Sequence, residues 1–207
     1  MKEVSGSFLS NNDKFYEINR LNNSDVDYIH FDVMDGKFVS NKNITVSELP
    51  KLIDAAKKKI DIHFMVNDPG KYIDKICFYN IDYITIHYEI KNLEDYIDKI
   101  KDYGFKVGIA VKPETDIEKI YYLLDKINLV LIMSVEPGKS GQTFIDVSDK
   151  INKLKQEIIN RKLNVKISVD GGINDEVLDY VKDCDILVSS SFILSDLGRN
   201  VDILKNR

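Results

Sequence analysis

A chain of 207 residues, 43% hydrophobic and 30% charged, with ten glycines and four prolines scattered along it, has enough apolar material for one sizeable core. That balance argues against disorder and fibrous repeats, and the chain is too short for two comfortable domains, so one globular domain over 1–207 is expected. With 29 Lys+Arg against 34 Asp+Glu, a formal net charge of −5, no overall positive field gathers nucleic acid or anionic lipid, and neither is expected as a partner.

The two cysteines, Cys77 and Cys184, lie outside any CxxC or Cys/His cluster and read as reduced core residues rather than a disulfide or zinc knuckle. The opening MKEVSGSFLSNN lacks the apolar stretch of a signal peptide, and no apolar run approaches the ~20 residues of a membrane span. A cytoplasmic location is expected.

Along the chain, short β-branched apolar runs recur at Val4–Leu9, Asp27–Val33, Ile60–Met65, Asp82–His87, Lys106–Val111, Leu129–Val135, Val165–Asp170 and Asp185–Ser190, eight in all. Their near-continuous hydrophobicity suits strands buried on both faces of a parallel sheet. Amphipathic stretches of helical period separate them. In NLEDYIDKIKDYG, Leu93, Tyr96, Ile97 and Ile100 share one face and Gly104 supplies the stop. Thr115 and Asp116 before IEKIYYLLDKI, and Asp146 with Ser148 before KINKLKQEIINRK, are expected to start helices by side-chain capping. Eight strand-then-helix units without a linker predict a single α/β domain, a (β/α)₈ TIM barrel, with an open doubly wound sheet as the alternative. Such barrels run from about 200 residues upward, so the loops must be short.

In a parallel barrel the functional groups gather at the C-terminal ends of the strands. All three histidines sit there: His30 and His63 near the ends of their runs, and His87 closing the fourth. His30 and Asp32 are two residues apart, hence on one side of a strand. Asp61 and His63 repeat the spacing on the next strand, and Asp170 ends the seventh. His30, Asp32, His63 and Asp170 form a set suited to one divalent ion per chain, zinc first, with iron(II), manganese or cobalt as alternatives. Asp61, deeper in its strand, reads either as support for the ligands or as simple structure. Met34, Met65 and Met133 lie at or beside strand ends, where core filling competes with a soft apolar ceiling over a substrate. Gly138, Lys139, Ser140, Gly141 and Gln142 follow the sixth strand, Gly171 and Gly172 the seventh, and Ser189, Ser190 and Ser191 close the eighth. Their closely spaced backbone N–H groups outline an anion nest where barrels commonly hold phosphate.

The segments SGSFLS (Ser5–Ser10), HFDVMDGKFVSN (His30–Asn41), DIHFMVNDP (Asp61–Pro69), TIHYE (Thr85–Glu89), MSVEPGKSGQTFI (Met133–Ile145) and VDGGI (Val169–Ile173) together resemble the ribulose-phosphate 3-epimerase family over nearly the whole chain. The resemblance implies a metal held by His30, Asp32, His63 and Asp170, with Asp32 and Asp170 as acid and base. It also implies substrate contacts from Ser7 and His87, and Met34, Met65 and Met133 over the reacting carbons. The implied reaction interconverts D-ribulose 5-phosphate and D-xylulose 5-phosphate through a cis-enediolate, without an organic cofactor, in a homo-oligomer. Two bases facing one carbon make sense of it, since inversion beside a ketone removes a proton from one face and returns one to the other. The alternatives are epimerisation of another ketose phosphate such as allulose 6-phosphate, a non-catalytic phosphosugar-binding barrel, and a metal-dependent hydrolase. Three departures from the family pattern bear on the loops. Lys139 and Ser140 stand where two glycines are usual, Ser190 replaces the glycine before Ser191, and Ile44, Thr45, Val46 and Ser47 replace a Gly-Pro after the FVxN segment. A serine at positive φ costs energy, so the phosphate loop is expected to depend on how these positions are turned.

Overall fold

The eight apolar runs close on themselves. In the computed structural model, which describes residues 1–9 and 13–206, the strands are β1 (Glu3–Ser7), β2 (Tyr28–Met34), β3 (Lys59–Met65), β4 (Tyr83–His87), β5 (Lys106–Val111), β6 (Leu129–Met133), β7 (Lys166–Asp170) and β8 (Ile186–Ser189). All neighbours are parallel, and β8 pairs back onto β1. The expected barrel is therefore the architecture, and the open sheet is excluded. Of the SGSFLS segment, Ser10 lies outside the described residues.

Helices α1 (Lys14–Asn22), α2 (Leu49–Ala55), α3 (Gly70–Ile76), α4 (Leu93–Asp102), α5 (Ser148–Asn160), α6 (Ser191–Ser195) and α7 (Leu197–Asn206) follow or join the strands. In α4 the predicted apolar stripe is turned inward, with Leu93, Ile97 and Ile100 buried. Gly104, at φ +83°, closes that helix by donating its N–H to Lys101 O.

IEKIYYLLDKI is not an α-helix. Ile117–Lys126 runs in 3₁₀ turns, and of its buried residues Ile117, Ile120, Leu123 and Leu124 the first three recur every third residue, the period of that tighter helix. Asp116 makes no side-chain cap there, and the Thr115 hydroxyl is drawn away to Glu89 Oε1 at 2.5 Å. The α5 expectation needs a smaller correction: Val147 is the capping residue, and Asp146, one position outside, accepts the Ser148 N–H at 2.9 Å. The cysteine reading holds for Cys184, which is buried. Cys77 is only half-buried, its thiol donating to Asp74 O at the end of α3.

The main core lies between the outer faces of the strands and the helices, around Phe31, Ile62, Phe64, Leu52 and Ile73. Inside the barrel the packing is layered. Tyr28, Tyr83, Leu129 and Ile186 close one level, and Ala110, Leu131, Met133 and Val188 form another nearer the strand ends. Between and beside them the interior is polar: Ser5, His30, Asp61, His63, Thr85 and Ser168 are all buried. Among the described residues no helix is long and apolar enough to cross a membrane.

Candidate active site

Strand register places the polar residues before any loop is considered. In the β2–β3 ladder His30 stands beside Asp61, Asp32 beside His63, and Met34 beside Met65. His30 Nδ1 lies 2.8 Å from Asp61 Oδ2, an oxygen that also accepts the Ser5 hydroxyl at 3.2 Å. Because a carboxylate only accepts, Nδ1 carries a proton, and Nε2 is the nitrogen of His30 that a metal would take. That Nε2 is buried without a hydrogen-bond partner, 3.3 Å from Asp32 Oδ1. His63 Nδ1 lies 3.1 Å from the same Asp32 oxygen and 3.9 Å from Asp170 Oδ2.

One ligand atom each from His30, Asp32, His63 and Asp170 can be chosen so that all lie within 4.8 Å of one another. A buried, unpartnered imidazole nitrogen among two carboxylates and a second imidazole is the donor set of a divalent ion with bonds of about 2 Å, so the residues fit a metal. Asp61 fixes the His30 ring through Nδ1, which turns Nε2 toward the other three residues, an arrangement a supporting residue would make.

The electrostatics divide the two carboxylates. Burial would raise Asp32, but His30 and His63 beside it hold its carboxyl far below the usual range. Burial and the neighbouring Asp32 charge push Asp170 up to about 7. Burial disfavours the charged form of His30, yet Asp61 and Asp32 outweigh it and raise its proton affinity well above the ordinary imidazole value. Ser7 donates to Asp32 Oδ2 at 2.8 Å and accepts the Leu9 N–H at 3.2 Å, tying the carboxylate to the end of β1.

A cavity of about 620 Å³ opens above this cluster. Ser7, Asp32, Met65, Met133 and Asp170 form its floor, and residues 138–142, Gly171, Gly172, Ser190 and Ser191 line the other end. Met34 and His87 are not on its wall. Met34 packs beneath with Met65 and Val39, and His87 lies buried behind His63, with the Phe38 ring 4.5 Å from its own.

The loop departures do not call for a serine at positive φ. Among the described residues only Asn92 and Lys162, apart from glycines, have positive φ, so neither Ser140 nor Ser190 takes a left-handed turn. The left-handed turns fall instead on glycines. Gly172, at φ +65°, passes so close to the loop that a Cβ would meet Phe144 N at 2.8 Å. The Gln142 side chain is engaged inside the loop, donating to Glu136 O and Lys139 O. Where the Gly-Pro is missing, Ile44 is fully buried in the core, and the segment before it is tied across the mouth by Asn41 Nδ2 donating to Gly138 O at 2.7 Å.

Sequence reading alone misses Asn43. Its Nδ2 donates to Asp32 O at 2.7 Å while its Oδ1 accepts Met34 N at 2.9 Å, so one side chain holds the backbone on both sides of the β2 end. Nothing in its spacing marks it. Ser5 is missed as well, although its alternation with Ser7 along β1 puts both on the inner face.

Comparison with known proteins converges on one family. The sequence model of the Ribulose-phosphate 3 epimerase family matches residues 3–194. A ribulose-phosphate 3-epimerase of Methanocaldococcus jannaschii is 38% identical over 181 residues, covering 86% of this chain and 76% of the relative. That of Bacillus subtilis is 34% identical over 200 residues, covering 92% and 90%. Among solved structures, N-(5'-phosphoribosyl)anthranilate isomerase from Pyrococcus furiosus superposes with a TM-score of 0.66 over 100% of both chains, and tryptophan synthase subunit alpha from Campylobacter jejuni with 0.65 over 98% and 92%. At 15% and 18% identity these two speak for the barrel alone. The profile match, spanning nearly the whole barrel, and relatives sharing more than a third of their aligned residues place this chain in the ribulose-phosphate 3-epimerase family.

Proposed function

We propose that the cavity inverts carbon 3 of a ketopentose phosphate, interconverting D-ribulose 5-phosphate and D-xylulose 5-phosphate. The observation that carries this reading is the pair Asp32 and Asp170. They stand on β2 and β7, three positions apart around the closed ring, both face the cavity, and their surroundings drive their proton affinities in opposite directions. Asp32, held ionised, takes the proton from one face of carbon 3. Asp170, across the ring, delivers a proton to the other face, and in the reverse direction the roles exchange. That ordering is the protein's own contribution, and a bound cation lowers both.

His30, Asp32, His63 and Asp170 would hold the divalent ion, proposed as zinc, with iron, manganese and cobalt meeting the same ligands. When bound, it supplies positive charge where the enediolate oxygens become negative. Ser7 keeps Asp32 oriented. Met65 and Met133 give the reacting carbons an apolar wall, with Met34 packed behind Met65. The phosphate is assigned to the backbone N–H groups around Gly141, Gly171, Gly172, Ser190 and Ser191.

The test is turnover in deuterated water with the product trapped by a coupling enzyme, using ribulose 5-phosphate and allulose 6-phosphate side by side. The pentose phosphate is the expected substrate, and its carbon 3 hydrogen in product is expected to come from solvent. Product that retains its original hydrogen overturns the two-base reading. Preference for the hexose phosphate overturns the substrate.

A further inference from the structure

Glu89 stands two residues beyond His87 in the turn after β4, and the mechanism above gives it no task. Its carboxylate is nevertheless fully engaged. Oε1 accepts the Lys112 N–H at 3.1 Å and the Thr115 hydroxyl at 2.5 Å, while Oε2 lies 3.1 Å from His87 Nδ1. Burial works against its charge, but His87, Thr115 and Lys112 hold the carboxyl down at about 2, so it stays an acceptor at neutral pH. His87 must therefore carry a proton on Nδ1.

The other nitrogen of that ring, Nε2, lies 2.9 Å from His63 Nε2, and both rings are fully buried. Two N–H groups cannot face each other at that distance, so a single proton lies between them. Placed on His87, it would make a buried imidazolium beside a cation site. Placed on His63 Nε2, it leaves both rings neutral and frees His63 Nδ1, which otherwise hydrogen-bonds Asp32 Oδ1, for an ion between Asp32 and Asp170.

We propose that Glu89 is a positioning residue for the metal site, acting through His87. Its carboxylate fixes the Nδ1–H form of His87, His87 Nε2 accepts from His63 Nε2–H, and His63 Nδ1 is held open for the ion. The proposal rests on the metal reading of the four-residue cluster. It gives the two imidazoles parallel supports: Asp61 acts directly on His30, and Glu89 acts on His63 through one intervening ring. Partners of this kind are typically worth 10–100-fold in metal affinity.

The test uses the full chain loaded with zinc(II) alone. With ¹⁵N-labelled histidine, ring spectra are expected to show His87 protonated on Nδ1, and His63 protonated on Nε2 with Nδ1 shifted by the metal. A His87 ring protonated on Nε2 and bare on Nδ1 overturns the relay, and this readout needs no variant. The second readout is zinc affinity by chelator competition in Glu89→Gln. Glutamine has one oxygen for three donors. If that oxygen stays with Lys112 and Thr115, its NH₂ faces His87 Nδ1 and demands the opposite tautomer, which propagates to His63. Affinity is expected to fall about 10–100-fold. Wild type and folded Glu89→Gln holding zinc equally would overturn the relay alone. A wild type that retains no zinc overturns the metal reading itself, and the relay with it.

Discussion

Asp61 shows how much a single side chain can decide inside a barrel. Its Oδ2 fixes the His30 ring through Nδ1, and the Ser5 hydroxyl fixes Asp61 in turn. Asp61→Asn keeps the shape but offers an amide that can meet His30 Nδ1 with either its oxygen or its NH₂. The chelator-competed metal affinity of Asp61→Asn should fall about 10–100-fold while its circular dichroism stays native. Unchanged affinity would return Asp61 to the category of simple structure. The cysteines give a second prediction. Burial pushes the Cys184 thiol up to about 12, whereas Cys77 is half-exposed. In the native chain at pH 8 a thiol reagent should label Cys77 alone, and both only after denaturation. The sign of the pH effect follows: an unfolded thiol ionises near 9 and the folded one does not. Cys184 thus contributes stability that is fully present below about pH 9 and lost, at roughly 1.4 kcal/mol per unit, as pH rises from there toward 12. Cys184→Ala should flatten the alkaline limb of a stability-versus-pH curve, and a limb of unchanged slope would refute this.

At the level of elements, the loops after β6 and β7 are held by each other. Ser134 donates to Gly171 O at 2.7 Å and to Asp170 O at 3.0 Å, and Gly172 nestles against the backbone of residues 142 and 144. Gly172→Ala would put a Cβ 2.8 Å from Phe144 N at a φ of +65°. The expected cost is on the order of 1–3 kcal/mol in local strain. Steady-state kinetics should show it mainly as a raised KM, because the proposed phosphate nest would move while the carboxylates on β2 and β7 would not. A loss confined to kcat would place the phosphate elsewhere. The same scale shows what sequence could tell. Continuous apolar runs gave the strands, and the two-residue spacings His30–Asp32 and Asp61–His63 gave the inner face, because side chains in a strand alternate strictly. The 3₁₀ course of Ile117–Lys126 escaped, since Ile117, Ile120 and Leu123 satisfy a helical period of 3.6 almost as well as one of 3.0 over so short a span. The work of Asn43 escaped for a different reason: a side chain that satisfies backbone groups on a neighbouring segment leaves no pattern of its own. That neither Ser140 nor Ser190 needs a positive φ could not be read from the sequence, because it depends on how the loops turn.

For the whole molecule, stability and chemistry occupy different places. The largest apolar cluster runs between the strands' outer faces and the helices, through Phe31, Phe64, Leu52 and Ile120. The candidate metal cluster lies inside the ring, where it adds buried polar groups such as His30 Nε2 that have no hydrogen-bond partner among the described residues. Such a layout makes the fold independent of the ion but measurably responsive to it. A ligand that binds only the folded state at 100 times its Kd adds about 2.7 kcal/mol. For a chain of this size each kcal/mol moves Tm by roughly 2–4 °C, so metal-loaded protein should melt about 5–10 °C above chelator-stripped protein. In His63→Ala the stripped form should still unfold in one cooperative transition, because the outer core is intact, and zinc should no longer raise its Tm. Calorimetry of the four samples separates the possibilities. A wild-type Tm indifferent to zinc would remove the ion from the site. A His63→Ala chain that melts without cooperativity even when stripped would mean that the polar interior, and not only the outer shell, holds the barrel closed.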